Sequence, residues 1–272
     1  MELGEIGVWR RRHDGPGAVA EIEALGYTTL WVGGSPSLEQ VRPFLERSSA
    51  MTVATGILNI WQHEPADVAR QRADLAREFP GRLLLGIGVG HPEATAEYTS
   101  PLGRMRAFFD ALDAAPQPVP RDERVAAALG PKMLELAAQR SLGTHTYFVT
   151  ADHTRYAREQ VGPGALVAPE LAVVVEADDE AARRAAREYA GLYLGRRNYT
   201  ANLLRFGFTE RDVADGGTDR LIDAVIPHGS AEQIAEVVRA HLEAGADHVA
   251  LQPLGHGPAP VAYYSALARA LL

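Results

Sequence analysis

The sequence predicts a (β/α)8 barrel, on three observations. Short apolar strands alternate with amphipathic helices along nearly the whole chain, giving about eight β–α units in one continuous series. The length, 272 residues, is that of one such barrel. The fourth strand, through Leu83, Leu84 and Leu85, is apolar on both faces. That is expected of a parallel strand covered by helices on one side and by the barrel core on the other. The competing arrangement is a doubly wound open sheet, which needs fewer strands and a reversal of their order.

The elements follow in order. The first strand is residues 3–9, and a helix over 15–25 stops at Gly26, which tolerates positive φ. The second strand is 28–32, followed by a helix over 38–47 that contains Pro43. The third strand, 51–55, leads to a helix over 67–79 closed by Pro80-Gly81. The fourth strand is 82–87 and its helix 102–112; the run 116–120 is too rich in proline for regular structure. The fifth strand is 124–129, with a helix over 131–140 that opens on Pro131, where the missing N–H costs nothing. The sixth strand is 146–149 and its helix 154–160. The seventh strand, 171–175, precedes a long helix over 178–194 and further helical sequence to residue 206. The segment 195–227 is longer than a plain loop and reads as an insertion at the active-site rim of one domain spanning 1–272. Ser230 and Gln233 form a capping box for a helix over 230–244. The eighth strand is 248–251 and the last helix 261–272.

Composition excludes several classes of function. The net charge is −8 and no Lys/Arg block stands out, so there is no electrostatic footprint for nucleic acid. There are no cysteines, hence no disulfides and no thiolate zinc site. No apolar run approaches the roughly 20 residues that span a bilayer, and Met1-Glu2-Leu3-Gly4-Glu5 lacks the order of a signal peptide. These features predict a cytoplasmic protein without membrane partners. No metal-ligand spacing, Gly-x-Ser-x-Gly elbow or P-loop is present, so a catalytic metal and serine hydrolysis are not expected.

In a barrel the chemistry lies just beyond the C-terminal ends of the strands. At the fourth exit, Gly88-Val89-Gly90 removes side chains where a flat ring can lie against backbone, although the pattern also suits a tight turn. At the fifth, Ala128-Leu129-Gly130-Pro131 opens a helix whose free N–H groups can hold a phosphate. His91 follows the glycine turn and is the first candidate for a hydrogen-bond donor at the mouth. His63 is the second catalytic candidate. Trp61 offers an aromatic wall, and Tyr98 lies in the loop beyond; both are candidates for the substrate side. Each has an ordinary reading as a rim or packing residue, and His153, His228 and His256 read as incidental.

The third exit, Ala54-Thr55-Gly56-Ile57-Leu58-Asn59-Ile60-Trp61-Gln62-His63-Glu64-Pro65, and the fourth, Leu85-Gly86-Ile87-Gly88-Val89-Gly90-His91-Pro92, are joined by a helix and the turn Phe79-Pro80-Gly81-Arg82. Together they resemble the luciferase-like superfamily, most nearly its members that use the deazaflavin coenzyme F420. Ala127-Ala128-Leu129-Gly130-Pro131-Lys132 and Gly245-Ala246-Asp247-His248-Val249 fit the same pattern. The resemblance implies an oxidoreductase that moves hydride between F420 and a small organic substrate. It also implies a non-proline cis peptide at Gly56–Ile57, behind the cofactor ring, and similar proteins are commonly homodimers. Three readings stay open: this one, an FMN-dependent monooxygenase, and a non-catalytic cofactor-binding protein. The third draws on a departure from the pattern. Many deazaflavin-dependent members carry an acid or a histidine after the second strand, where this chain has Gly33-Gly34-Ser35. His91, Glu93 or His63 would then have to serve as proton donor, or the reaction differs.

Overall fold

Alternation of β-branched and small residues along each strand sorts side chains to two faces, and the fold uses both. The chain is seen in a computed structural model that describes residues 3–92, 98–255 and 260–272. It runs β1 (Ile6–Arg11), α1 (Val19–Ala24), β2 (Thr29–Gly33), α2 (Leu38–Arg47), β3 (Thr52–Gly56), β4 (Leu58–Asn59), α3 (Pro65–Glu78), β5 (Leu83–Gly88) and α4 (Pro101–Ala114). The middle of the chain holds β6 (Arg124–Ala127), α5 (Pro131–Arg140), β7 (Gly143–Thr146), α6 (Ala151–Val161), β8 (Leu166–Val175) and α7 (Asp179–Leu194). After these come α8 (Arg197–Arg205), α9 (Glu210–Val213), α10 (Asp219–Val225), β9 (His228–Gly229), α11 (Ala231–Glu243), β10 (Val249–Pro253) and α12 (Val261–Leu271).

Parallel pairing runs β1-β2-β3-β5-β6-β7-β8, and β10 pairs with both β8 and β1, so eight strands close into a barrel and the open-sheet alternative is ruled out. The short β4 continues beside β5, and β9 extends the edge of β8. Val8, Leu30, Val53, Leu85, Val167 and Val249 face outward and join the helices in one apolar core. Trp9, Trp31, Ala54, Leu84, Val125, Ala168 and Ala250 face inward and fill the barrel. Trp31 is fully buried there, stacked on His145 at 3.9 Å and donating its indole N–H to His248 Nε2 at 3.0 Å. The capping box of Ser230 and Gln233 is present at the start of α11.

Several predicted boundaries move. β7 is Gly143–Thr146 rather than 146–149. A Cβ on Gly143 would lie 2.0 Å from the Leu166 carbonyl oxygen, so the strand needs its glycine for close approach to β8. The aromatic run Tyr147-Phe148, which reads as strand, instead turns out of the sheet with Phe148 at φ 54°. β8 begins at Leu166, five residues before the predicted 171, and carries Pro169 and the buried Glu170. Those two residues break the apolar pattern that marks a strand. β6 ends at Ala127, which frees Ala128 and Leu129 for the exit loop. The first helix is confined to Val19–Ala24, and Gly15, at φ 67°, stands outside it in a non-helical conformation. The segment 195–227 folds into α8, α9 and α10. No helix among the described residues is long and apolar enough to cross a membrane.

Candidate active site

A cavity of about 570 Å³ opens at the C-terminal ends of the strands. Gly56, Ile57, Val89, Gly90, His91, Tyr98, Ala128, Leu129 and Gly130, all expected at the site, line it. The Gly56–Ile57 peptide is cis, as the resemblance implies. Gly90 has φ 59°, and a Cβ there would come 2.8 Å from Asn59 Nδ2, so glycine is required on both counts.

Four expected site residues do not line the cavity. Gly88 lies beneath it, where a Cβ would stand 2.9 Å from Ile57 Cδ1 and 3.0 Å from Ala127 Cβ. Its role is to seat Ile57 rather than to face a ligand. Pro131 is the first residue of α5, and the adjoining Gly130 takes the cavity surface. Trp61 stands behind the wall: its indole N–H donates to the Val89 carbonyl at 2.7 Å, and its ring lies 5.6 Å from Tyr98. His63 is half-buried outside the lining, and desolvation lowers its pKa. Glu93 and His256 lie outside the described residues.

The structure also explains the departure at the second strand. A Cβ on Gly33 would lie 1.8 Å from Cζ2 of Trp9, and one on Gly56 2.6 Å from its Nε1. The Trp9 indole therefore fills the space in front of both exits. Its N–H points to the Tyr147 hydroxyl at 3.4 Å, and both residues line the cavity. Trp9 stands at a strand exit, and the glycines at the ends of β2 and β3 were the available signal that a large ring fills the space there. Gly130 is the opposite case: it lines the cavity and a Cβ there meets nothing within 4 Å.

Sequence reasoning missed most of the polar lining. Tyr193 at the end of α7, and Arg196, Tyr199, Asn202 and Arg205 in and beside α8, form one wall. Arg196 and Arg205 are its cationic groups, and no carboxylate lines the cavity among the described residues. His145 donates from Nδ1 to the Ala168 carbonyl at 2.5 Å, which leaves Nε2 as a bare acceptor. Complete burial pushes its pKa down to about 3, so the ring is neutral. His145 Nε2, Thr146 Oγ1 and Asn202 Oδ1 are all buried without a hydrogen-bond partner among the described residues, and all three residues line the cavity. Buried polar atoms are ordinarily satisfied, so three on one cavity call for a ligand with polar edges. The described residues contain no cluster that could hold a metal ion.

Residues 11–115 match the family described as luciferase-like monooxygenase. No curated protein matches the chain by sequence. Among solved structures, an F420-dependent secondary alcohol dehydrogenase in complex with an F420-acetone adduct superimposes with a TM-score of 0.77 at 17% identity, covering 100% of this chain and 98% of that one. A coenzyme F420-dependent tetrahydromethanopterin reductase from Methanopyrus kandleri gives 0.71 at 15% identity, covering 99% of each chain. The oxygenating constituent of 3,6-diketocamphane monooxygenase from Pseudomonas putida, in complex with FMN, gives 0.71 at 15% identity, covering 97% of this chain and 96% of that one. The resemblance first seen in the strand exits is thus borne out: residues 11–115 match that family's model, and the whole chain shares the (β/α)8 barrel fold of these structures.

Proposed function

We propose that the chain is an F420-dependent oxidoreductase that transfers hydride to or from a small organic substrate in this cavity. The observation that carries the proposal is the lining itself. One side presents backbone at Gly56–Ile57, Val89–Gly90 and Leu129–Gly130, and the other presents aromatic rings and two arginines.

These residues fit a deazaflavin. The unhindered space over Gly130 would admit part of a flat ring system or its tail. The unpartnered atoms of His145, Thr146 and Asn202 suit the polar edge of a heterocycle. The N-terminal end of α5 at Gly130, with Arg196 and Arg205 across the cavity, suits an anionic tail. Bound F420 would supply a ring carbon that gives or takes hydride. The chain's own part is to position and desolvate. Ile57, seated on Gly88, supports the ring position from below. Trp9, Tyr147, Tyr193 and Tyr199 contribute aromatic rings to the lining. Neutral His145 offers an acceptor, and His91 sits beside Tyr199 with ring centres 5.3 Å apart.

Fluorescence titration of the protein with F420 and, separately, with FMN tests the reading. Saturable one-to-one binding of F420 is expected. Tight FMN binding without F420 affinity would favour a monooxygenase and sink the proposal. Binding of F420 with no turnover on a broad panel of alcohols, ketones and enones would leave a cofactor-binding protein instead.

A further inference from the structure

Glu170 is a carboxyl buried in the barrel. It lies on the inward face of β8, between Ala168 and Ala172 of the inner core, and is 1% exposed. No arginine, lysine or histidine pairs with it among the described residues. The groups that face it are phenols and an amide: Tyr147 beyond β7, Tyr189 and Tyr193 of α7, Tyr199 of α8, and Gln252 of β10, with Arg196 beside the Tyr193 ring. Glu170 Oε1 is 3.5 Å from the Tyr189 hydroxyl. Tyr189 is 2.8 Å from the Tyr193 hydroxyl and 2.8 Å from Gln252 Oε1. Tyr193 is a cavity residue.

We infer that Glu170, Tyr189 and Tyr193 form a proton line from the barrel interior to the cavity wall, supplying the proton that accompanies hydride transfer; this rests on the oxidoreductase reading above. Hydride transfer leaves negative charge on the substrate, and the second-strand exit offers neither acid nor histidine to neutralise it. Burial raises the Glu170 carboxyl to about 8, so it holds a proton at neutral pH. With Glu170 protonated, its O–H faces the Tyr189 oxygen, and with the Gln252 amide turned so that Nε2 donates to that oxygen the Tyr189 proton is free for Tyr193, which leaves the Tyr193 proton for the cavity. Gln252 steadies Tyr189, and either end of its amide can meet the phenol.

In the reductive direction, bound reduced F420 would supply the hydride, with its electron pair, to a substrate carbon. The displaced π pair moves to the adjoining atom, which takes the proton of Tyr193. Tyr193 is refilled from Tyr189 and Tyr189 from Glu170, leaving a carboxylate that regains a proton through the same phenols after product leaves. The oxidative direction reverses each transfer.

Infrared spectroscopy of the cofactor-free protein in heavy water tests the line directly. Wild type should show a protonated-carboxyl band that is absent in E170Q. Tyr189→Phe should slow the hydrogen–deuterium exchange of that band about tenfold or more, because the phenol bridge is broken. Equal exchange in wild type and Y189F, or a band that survives E170Q, overturns the inference. In the F420-loaded enzyme, E170Q and Y189F should lower kcat about tenfold or more, leave KM within about twofold and move the alkaline limb of the pH profile. Unchanged kcat in both variants also overturns it. If wild type fails to bind F420, the oxidoreductase reading falls, while the exchange rates still decide whether the line exists.

Discussion

A Cβ on Gly33 would stand 1.8 Å from Cζ2 of Trp9, so the inner side of the second-strand exit belongs to an indole from the strand beside it. The two residues lie on adjacent strands two register positions apart, since Trp9 is opposite Trp31 and Arg11 opposite Gly33. Gly33→Ala should therefore cost about 1–3 kcal/mol by overpacking. The same change in a Trp9→Leu background should cost much less, because the ring it strikes is gone. Urea denaturation of the four proteins measures the coupling; additive effects would show that the contact does not govern this exit.

Gly130 tests the cavity without testing the core. Its φ is −92° and a Cβ there touches nothing, so Gly130→Val should cost only about 1 kcal/mol, that of a poorer N-cap for α5. It should nonetheless weaken F420 binding about tenfold or more, because the isopropyl group enters the cavity. Thermal denaturation and titration, read together, separate the two effects. Unaltered affinity would mean that the ligand does not approach this residue.

Thr146 is 1% exposed and its hydroxyl is unpartnered among the described residues. Thr146→Val keeps the shape and removes the polar atom, so the cofactor-free protein should gain about 1 kcal/mol of stability. Cofactor binding should weaken by a similar amount if the hydroxyl serves the ligand. A loss of stability in T146V would show that the hydroxyl is already satisfied.

Stability against pH should reveal the buried titrating groups. Burial lowers His145 to about 3 and His153, His241 and His248 to about 4, from an ordinary 6.5. Below that ordinary value the unfolded chain takes up protons that the folded protein excludes, so stability falls as pH drops from 6.5 toward 4. Glu170 acts in the other direction. The folded protein keeps its proton up to about 8, whereas the unfolded carboxyl releases it near 4.5. Stability from this group is complete below 4.5 and is lost as pH rises to about 8, at about 1.4 kcal/mol per unit. Urea midpoints for wild type and E170Q across this range should diverge with that sign; parallel curves would show that Glu170 is ionised when folded.

The sequence made the barrel legible because its strands and helices have distinct periods and because glycine, proline and capping residues mark the ends. Helix α2 at Leu38–Arg47 and helix α5 at Pro131–Arg140 stand where periodicity put them. The glycine-lined side of the cavity was legible for the same reason, since Gly56, Gly90 and Gly130 are visible as missing side chains. The polar wall was not. Tyr193, Tyr199 and Asn202 look like ordinary helical residues, and only the placement of α8 against the mouth gives them a function. Glu170 was hidden by Pro169, which disguised the start of β8, and His145 by the aromatic run after it, which drew the predicted strand three residues too late.

The most direct test is a crystal structure of the protein soaked with F420. The account predicts the deazaflavin ring in the cavity against Gly56–Ile57 and Val89–Gly90, with polar ring atoms within hydrogen-bond reach of His145, Thr146 or Asn202. An F420 ring bound elsewhere, or an empty cavity at saturating F420, would contradict it.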